Sequence, residues 1–320
     1  MRHPIHVAVL AIALIAVAGT SALAGPLDAA QKAFDAGEFD KAADLFEKAL
    51  KASPGDRDAA LGLAHASVKA ARQNLYYDAL DALAEHEKKN PKDLAIRVAM
   101  GDISVAIANT KTDPQALKGY FADAQTHFEA AIEIDPKCEA ATVGLAKSLY
   151  FTGDFPGAVR AVDTYLAKSP EDQANALFWK GQALYLDMMD AYRAAGSLTE
   201  EVQAKARQAM GAYSGSAAAD PSSYDTWIQL AYAAAYAYDE TTAEDAYRKA
   251  IGADPTKDAP LKGIASLYAN EKEAKTGVLE ELAREHPENE HVLLYAAFDK
   301  YEHEQFDDAK ALFAQLAKVA

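Results

Sequence analysis

From Gly25 onward the apolar residues of this chain return every three or four positions. That spacing puts them on one face of an α-helix. Ala30, Ala33, Ala42, Phe46 and Ala49 set the pattern, and Leu145, Ala146, Leu149, Ala158 and Val162 repeat it. The period-two alternation of a half-buried strand is absent. The positions between are rich in Ala, Leu, Glu and Lys, which favours helix throughout. Gly37 falls between two helical stretches, where a helix end favours a residue that tolerates positive φ. Pro54 stops the second stretch, because it lacks an N–H and clashes with the preceding turn.

A longer period overlies the helical one. Pro136 and Pro170 are 34 residues apart, and so are Pro221 and Pro255. Pro54 to Pro91 spans 37, Pro91 to Pro136 spans 45, Pro170 to Pro221 spans 51 and Pro255 to Pro287 spans 32. A recurrence of roughly 20–50 residues marks a repeat architecture. The added residues of the third unit fall around Asn109–Pro114 and read as a longer loop between helices. Those of the fifth fall between Asp187 and Thr199, where Ala195-Gly196-Ser197 breaks the helix and Thr199-Glu200-Glu201 restarts it with capping chemistry. Two readings of these inserts stay open. One is loop growth that a solenoid tolerates cheaply; the other is a second contact site along one edge. The count is eight helix pairs, the seventh degenerate.

Trp227-x2-Leu230, followed by Ala231 and Ala234, then Ala243-x3-Tyr247 and Pro255, resembles the tetratricopeptide repeat. Ala42-x3-Phe46 and Ala124-x3-Phe128 match the second half of that motif, and Leu63-Ala64 and Ile264-Ala265 open further units. The resemblance covers nearly all of residues 25–320. It implies an all-α solenoid of helix-turn-helix repeats, wound as a right-handed superhelix, with the first helix of each pair lining an inner groove. Each pair leaves apolar surface that only its neighbour covers.

Carried onto this sequence, the family's groove positions are Phe178, Gln182 and Tyr185 in the fifth unit. In the sixth they are Ile228, Tyr232 and Tyr236, and in the eighth Leu294, Phe298 and Tyr301. Aromatic side chains offer large contact area at low entropic cost, and tyrosine keeps a polar tip. Trp179 and Trp227 read as core. Some family members clamp a peptide's C-terminal carboxylate with Lys, Asn and Arg at fixed first-helix positions. Here those slots hold Gln31, Lys147, Gln182, Tyr232 and Ser266, with Lys147 the only base, so that mode is not expected.

Residues 1–24 read as a secretory signal peptide: Arg2, an apolar run from Val7 to Ala18, and small residues at Ala22 and Ala24 before Gly25. The alternative is an uncleaved N-terminal membrane anchor. With cleavage after Ala24 the protein is expected to be periplasmic or secreted, and not integral to a membrane. The net charge is −16. Nucleic-acid affinity comes largely from neutralised phosphates, so that partner class is not expected. Cys138 is the single cysteine; it reads as a half-buried thiol at a helix start, with an intermolecular disulfide as the alternative.

No catalytic constellation is visible. His303-Glu304 finds no second histidine, Gly215-Ser216-Ala217 is a small-residue turn, and phosphate-binding glycine loops are missing. His286 and His291 flank a turn and read as surface residues rather than a metal site. The expectation is no enzyme, no cofactor and no metal. The chain reads as a protein-interaction scaffold of the bacterial cell envelope, with a protein partner in an aromatic-rich groove. The alternative is a soluble receptor for a glycan or other small ligand. The last unit ends at Leu312–Ala320. Either its outer face is polar enough, or it docks on a partner or a second copy.

Overall fold

The computed structural model describes residues 25–320, and the leader expected for residues 1–24 lies outside the described residues. Among the described residues there are sixteen α-helices, one short 3-10 turn and no strand. They form eight successive pairs. These are α1 (Pro26–Asp35) with α2 (Phe39–Ala52), α3 (Arg57–Lys69) with α4 (Tyr76–Lys89), α5 (Leu94–Ala108) with α6 (Pro114–Ile134), and α7 (Glu139–Thr152) with α8 (Phe155–Leu166). Then come α9 (Ala174–Ala195) with α10 (Glu200–Ala219), α11 (Tyr224–Tyr236) with α12 (Glu240–Ala253), α13 (Ala259–Leu267) with α14 (Lys272–Glu285), and α15 (Glu290–Glu302) with α16 (Phe306–Val319). The expected all-α repeat solenoid is what the chain forms.

Each periodic feature has a local cause. Ser53, Asn90, Asp135, Asp220, Asp254 and His286 end the second helices, and each precedes a proline. Asp135 has φ −133° and ψ 100°, and Asp254 has φ −140° and ψ 93°. Proline pushes the preceding residue out of the helical region into this extended one. In six of the eight pairs the turn from first to second helix passes through a left-handed residue. Gly153 supplies it in the fourth pair with φ +86°, while Ala71, Tyr238 and Glu304 take φ of 54°, 57° and 61° in the second, sixth and eighth.

The units stack knob into hole. The Phe46 ring lies where a Cβ on Gly62 would be 2.2 Å away; Phe128 sits likewise against Gly144 at 2.3 Å and Tyr247 against Gly263 at 2.2 Å. In all three cases the aromatic ends an Ala-x3-aromatic motif on a second helix, and the glycine opens the next first helix. No side chain fits at those glycines, so the motif fixes how one unit seats on the next. First helices of successive units approach closely along α1, α3, α5, α7 and α9, and again along α11, α13 and α15, whereas successive second helices do not. The array therefore curves with its first helices inside. The seventh pair departs from the pattern: α13 has only nine residues, and α14 packs on α15 rather than back on α13.

The inserts are helix and not loop. In the third unit only residues 109–113 separate α5 from α6, and α6 runs for 21 residues. Pro114 is a first-turn residue, capped by Asp113, which accepts the Ala116 N–H at 2.7 Å. The proline starts the helix because its missing N–H would have no partner there in any case. In the fifth unit α9 and α10 reach 22 and 20 residues. Gly196 turns the chain with φ +68°, and Thr199 caps α10. Both additions extend helices at the turn end of the pair, and that of α9 carries Tyr192 to the inner face.

Candidate functional site

The inner face falls into two halves. In the first half three successive first helices each present one charged or titratable residue after a Leu-Ala or Met-Gly pair: His65 on α3, Asp102 on α5 and Lys147 on α7. Lys69 lies one turn beyond His65. Asp102 and Lys147 are partly exposed and Lys69 is exposed. Among the described residues no salt bridge or side-chain hydrogen bond engages Asp102, Lys147 or Lys69. Crowding by surrounding protein pushes the Asp102 carboxyl up to about 6, although Lys147 and Lys69 pull it the other way. The same crowding lowers the Lys147 ammonium, which Asp102 partly offsets. Burial, helped by Lys69, lowers the His65 ring and keeps it neutral at pH 7.

An aromatic shelf adjoins this cluster. Phe151 on α7 is 48% exposed. It stacks on fully buried Phe121, with centroids 5.3 Å apart, and lies 6.2 Å from the half-buried Trp179 on α9. The Lys147 ammonium sits 5.1 Å from the Trp179 ring centroid, within cation–π range. Phe121 stands three residues before Ala124 on α6, the place that Phe39 and Phe155 hold before Ala42 and Ala158, so an ordinary repeat position props the shelf from below.

The second half is lined with tyrosine. Tyr185 and Tyr192 on α9 meet Tyr236 on α11 edge to face, at 6.1 and 5.7 Å, and Tyr232 meets Tyr247 at 6.1 Å. Tyr185, Tyr192, Tyr232 and Tyr236 are half-buried. No hydrogen bond within the described residues engages their hydroxyls, nor that of buried Tyr213. Other tyrosines differ: Tyr165 donates to the Asp172 carbonyl at 2.5 Å, and Tyr268 bonds Glu244. Burial and the neighbouring Tyr236 and Tyr232 raise the Tyr185 phenol, so that hydroxyl keeps its proton.

The structure thus brings Tyr185, Tyr232 and Tyr236 together. Phe178 packs beside Trp179 and Tyr213 at 5.8 and 6.0 Å, and Gln182 is half-buried on the same helix. Ile228 is only 6% exposed and belongs to the core, packed in the cluster with Tyr213, Leu230 and Tyr247. Phe298 and Tyr301 stand apart on α15, 52% and 58% exposed, each against an α16 ring: Phe313 at 5.5 Å and Phe306 at 5.5 Å. Trp227 is half-buried, with its indole N–H donating to the Pro221 carbonyl at 2.8 Å. His65, Lys69 and Asp102 were missed in the sequence. Their shared place directly or one turn after Leu63-Ala64 and Met100-Gly101 was the available signal. Among the described residues no group of His, Cys, Asp and Glu has the geometry of a metal site.

The tetratricopeptide-repeat profile matches residues 33–103 and 117–178. Those two stretches are tetratricopeptide repeats. A solved structure of human IFIT1, a dimer with m7Gppp-AAAA, is 13% identical, covers 92% of this chain and 71% of its own, and superposes with TM-score 0.51. At that identity the likeness is one of fold. A thermophilic repeat protein of Thermus thermophilus is 22% identical over 65% of this chain and 96% of its own, with TM-score 0.48. No curated protein matches the sequence. Like other tetratricopeptide arrays, this one offers a surface suited to protein partners. Among its described residues no helix is long and apolar enough to cross a membrane.

Proposed function

We propose that this protein is a non-enzymatic scaffold that holds a segment of a partner protein along its concave face. The observation that carries the reading is the tyrosine cluster of α9 and α11. Its half-buried rings converge on one surface with hydroxyls that no hydrogen bond among the described residues engages. An extended segment brings apolar side chains for the rings and unpaired carbonyls for the hydroxyls. The leader expected for residues 1–24 supports a place in the bacterial cell envelope, with the partner a component of an envelope assembly. The acidity of the chain argues against nucleic acid as the ligand. The exposed Phe298, Tyr301 and Phe306 support the last pair as a surface for self-association.

Native co-purification from envelope extract tests the reading. A stoichiometric protein partner, lost on Tyr185→Ala/Tyr232→Ala/Tyr236→Ala while helical circular dichroism is unchanged, supports it. Absence of a protein partner together with saturable binding on a glycan array would replace it with the receptor reading.

A further inference from the structure

The inner face also holds an unassigned cluster in its first half. Among the described residues Lys69 and Lys147 form no salt bridge, in a chain of net charge −16. Asp102 lies between them on α5, within Coulombic reach of both. Salt bridges are made freely elsewhere on this surface, for example Lys180 to Asp163 at 2.5 Å and Lys249 to Asp245 at 2.7 Å. The inner pair is left open. Beside it stands the Phe151–Trp179 shelf, 48% exposed at Phe151 and supported by Phe121.

From this arrangement we infer that Lys69 and Lys147 form a subsite for an acidic side chain of the partner segment, with Phe151 and Trp179 receiving the apolar residue next to it and Asp102 acting as a resident competitor for the lysines. The inference rests on the reading of the concave face as a segment-binding surface and names the chemistry of one stretch of that segment. The ligand group is an internal Glu or Asp carboxylate, so a free chain end is not required.

The competitor gives the site a pH dependence. Lys147 on α7 and Lys69 on α3 face Asp102; Cys138, at the start of α7, is also within its Coulombic range, and its thiol is held neutral by burial. The ring of His65, one turn from Lys69, has its pKa lowered by burial and by Lys69. Below pH 6 Asp102 is largely protonated and both ammonium groups are free for the incoming carboxylate. Above pH 6 Asp102 is ionised, holds the lysines and repels the ligand. A glutamate ligand, with an ordinary pKa of about 4.3, stays ionised across that range. Binding is therefore tighter on the acid side.

The test uses the mature chain carrying Trp227→Phe, which leaves Trp179 as the reporter, titrated with the blocked peptide acetyl-Glu-Phe-Glu-Phe-Glu-amide. The expected result is saturable binding that weakens about three- to tenfold from pH 5.5 to 7.5, a swing of up to one pKa unit. Lys147→Gln and Lys69→Gln each lower affinity at least about fivefold at pH 5.5. Asp102→Asn binds equally at both pH values and at least as tightly as the parent at 7.5. Circular dichroism verifies folding of each variant. No saturable binding, indifference to both lysine changes, a preference for the Lys-for-Glu peptide, or an unaltered pH slope in Asp102→Asn would each overturn the inference. A glutamine-for-glutamate peptide that binds as well as the acidic one, and loses affinity on Tyr232→Ala/Tyr236→Ala, would do the same while leaving the scaffold reading in place.

Discussion

The two halves of the inner face are built on the same repeat and present opposite chemistry. Between α3 and α9 the first helices follow one another closely, and the surface is set by single residues in equivalent places: His65, Asp102 and Lys147. Between α9 and α11 the helices do not approach as closely, and the space is filled by rings that meet edge to face. Where backbones are close, a short charged side chain reaches the groove and stays accessible. Where they part, large rings are needed to cover the opening, and their polar tips are left over. Backbone spacing thus decides which kind of side chain becomes a binding surface.

The largest expected effect separates scaffold from surface. Phe128 is fully buried against both Gly101 and Gly144 and locks the third unit to the fourth. Phe128→Ala is expected to cost about 3–5 kcal/mol, read by urea unfolding. Tyr236→Ala, at a half-buried ring, is expected to cost about 1–2 kcal/mol. Equal losses at the two sites would show that the tyrosines are core and would erase the distinction.

A second test addresses the charged half. The Asp102 carboxyl is raised from 3.8 to about 6 in the folded state, so folding favours its protonated form. The stability this contributes is present below about pH 4 and is lost as pH rises through 6. Asp102→Asn should therefore match the parent near pH 4 and exceed it at pH 7.5, by on the order of 2 kcal/mol. Thermal melts at the two pH values read the difference, and an equal offset at both would contradict the assignment.

The smallest effect probes the turns, which are common to both halves. Glu304 holds φ of 61° at a position that Gly153 occupies in the fourth unit. Glu304→Gly is expected to be neutral or to stabilise by up to about 1 kcal/mol, because the strain relieved outweighs the added chain entropy. A loss of about 1 kcal/mol or more would show that the Glu304 side chain contributes to the turn.

Much of the fold was legible because its causes are local. Ala-x3-Phe, the closing prolines and Gly153 each act within a few residues. The third-unit insert was misread because Asn109–Pro114 looks like a loop by composition, while Asp113-Pro114 is a helix start; in the fifth unit the break at Ala195–Ser197 and the restart at Thr199 fall where the sequence puts them. The site was legible only in part. Tyr232 and Tyr236 share a helix face, so their proximity followed from spacing. Tyr185 and Tyr192 join them across a gap that the sequence does not encode locally. His65, Asp102 and Lys147 come from units of different length, and only the stacked array shows that they share one ladder. Ile228 occupies a groove position by motif but is buried.

The central claim is that partners bind on the inside of the curve. A photo-crosslinking residue placed at Tyr232, on a first helix, and separately at Asp245, on a second helix and 59% exposed in its side chain, tests it in cells that make the protein. The account expects a discrete partner adduct from position 232 and none from 245. Adducts from 245 alone would contradict it.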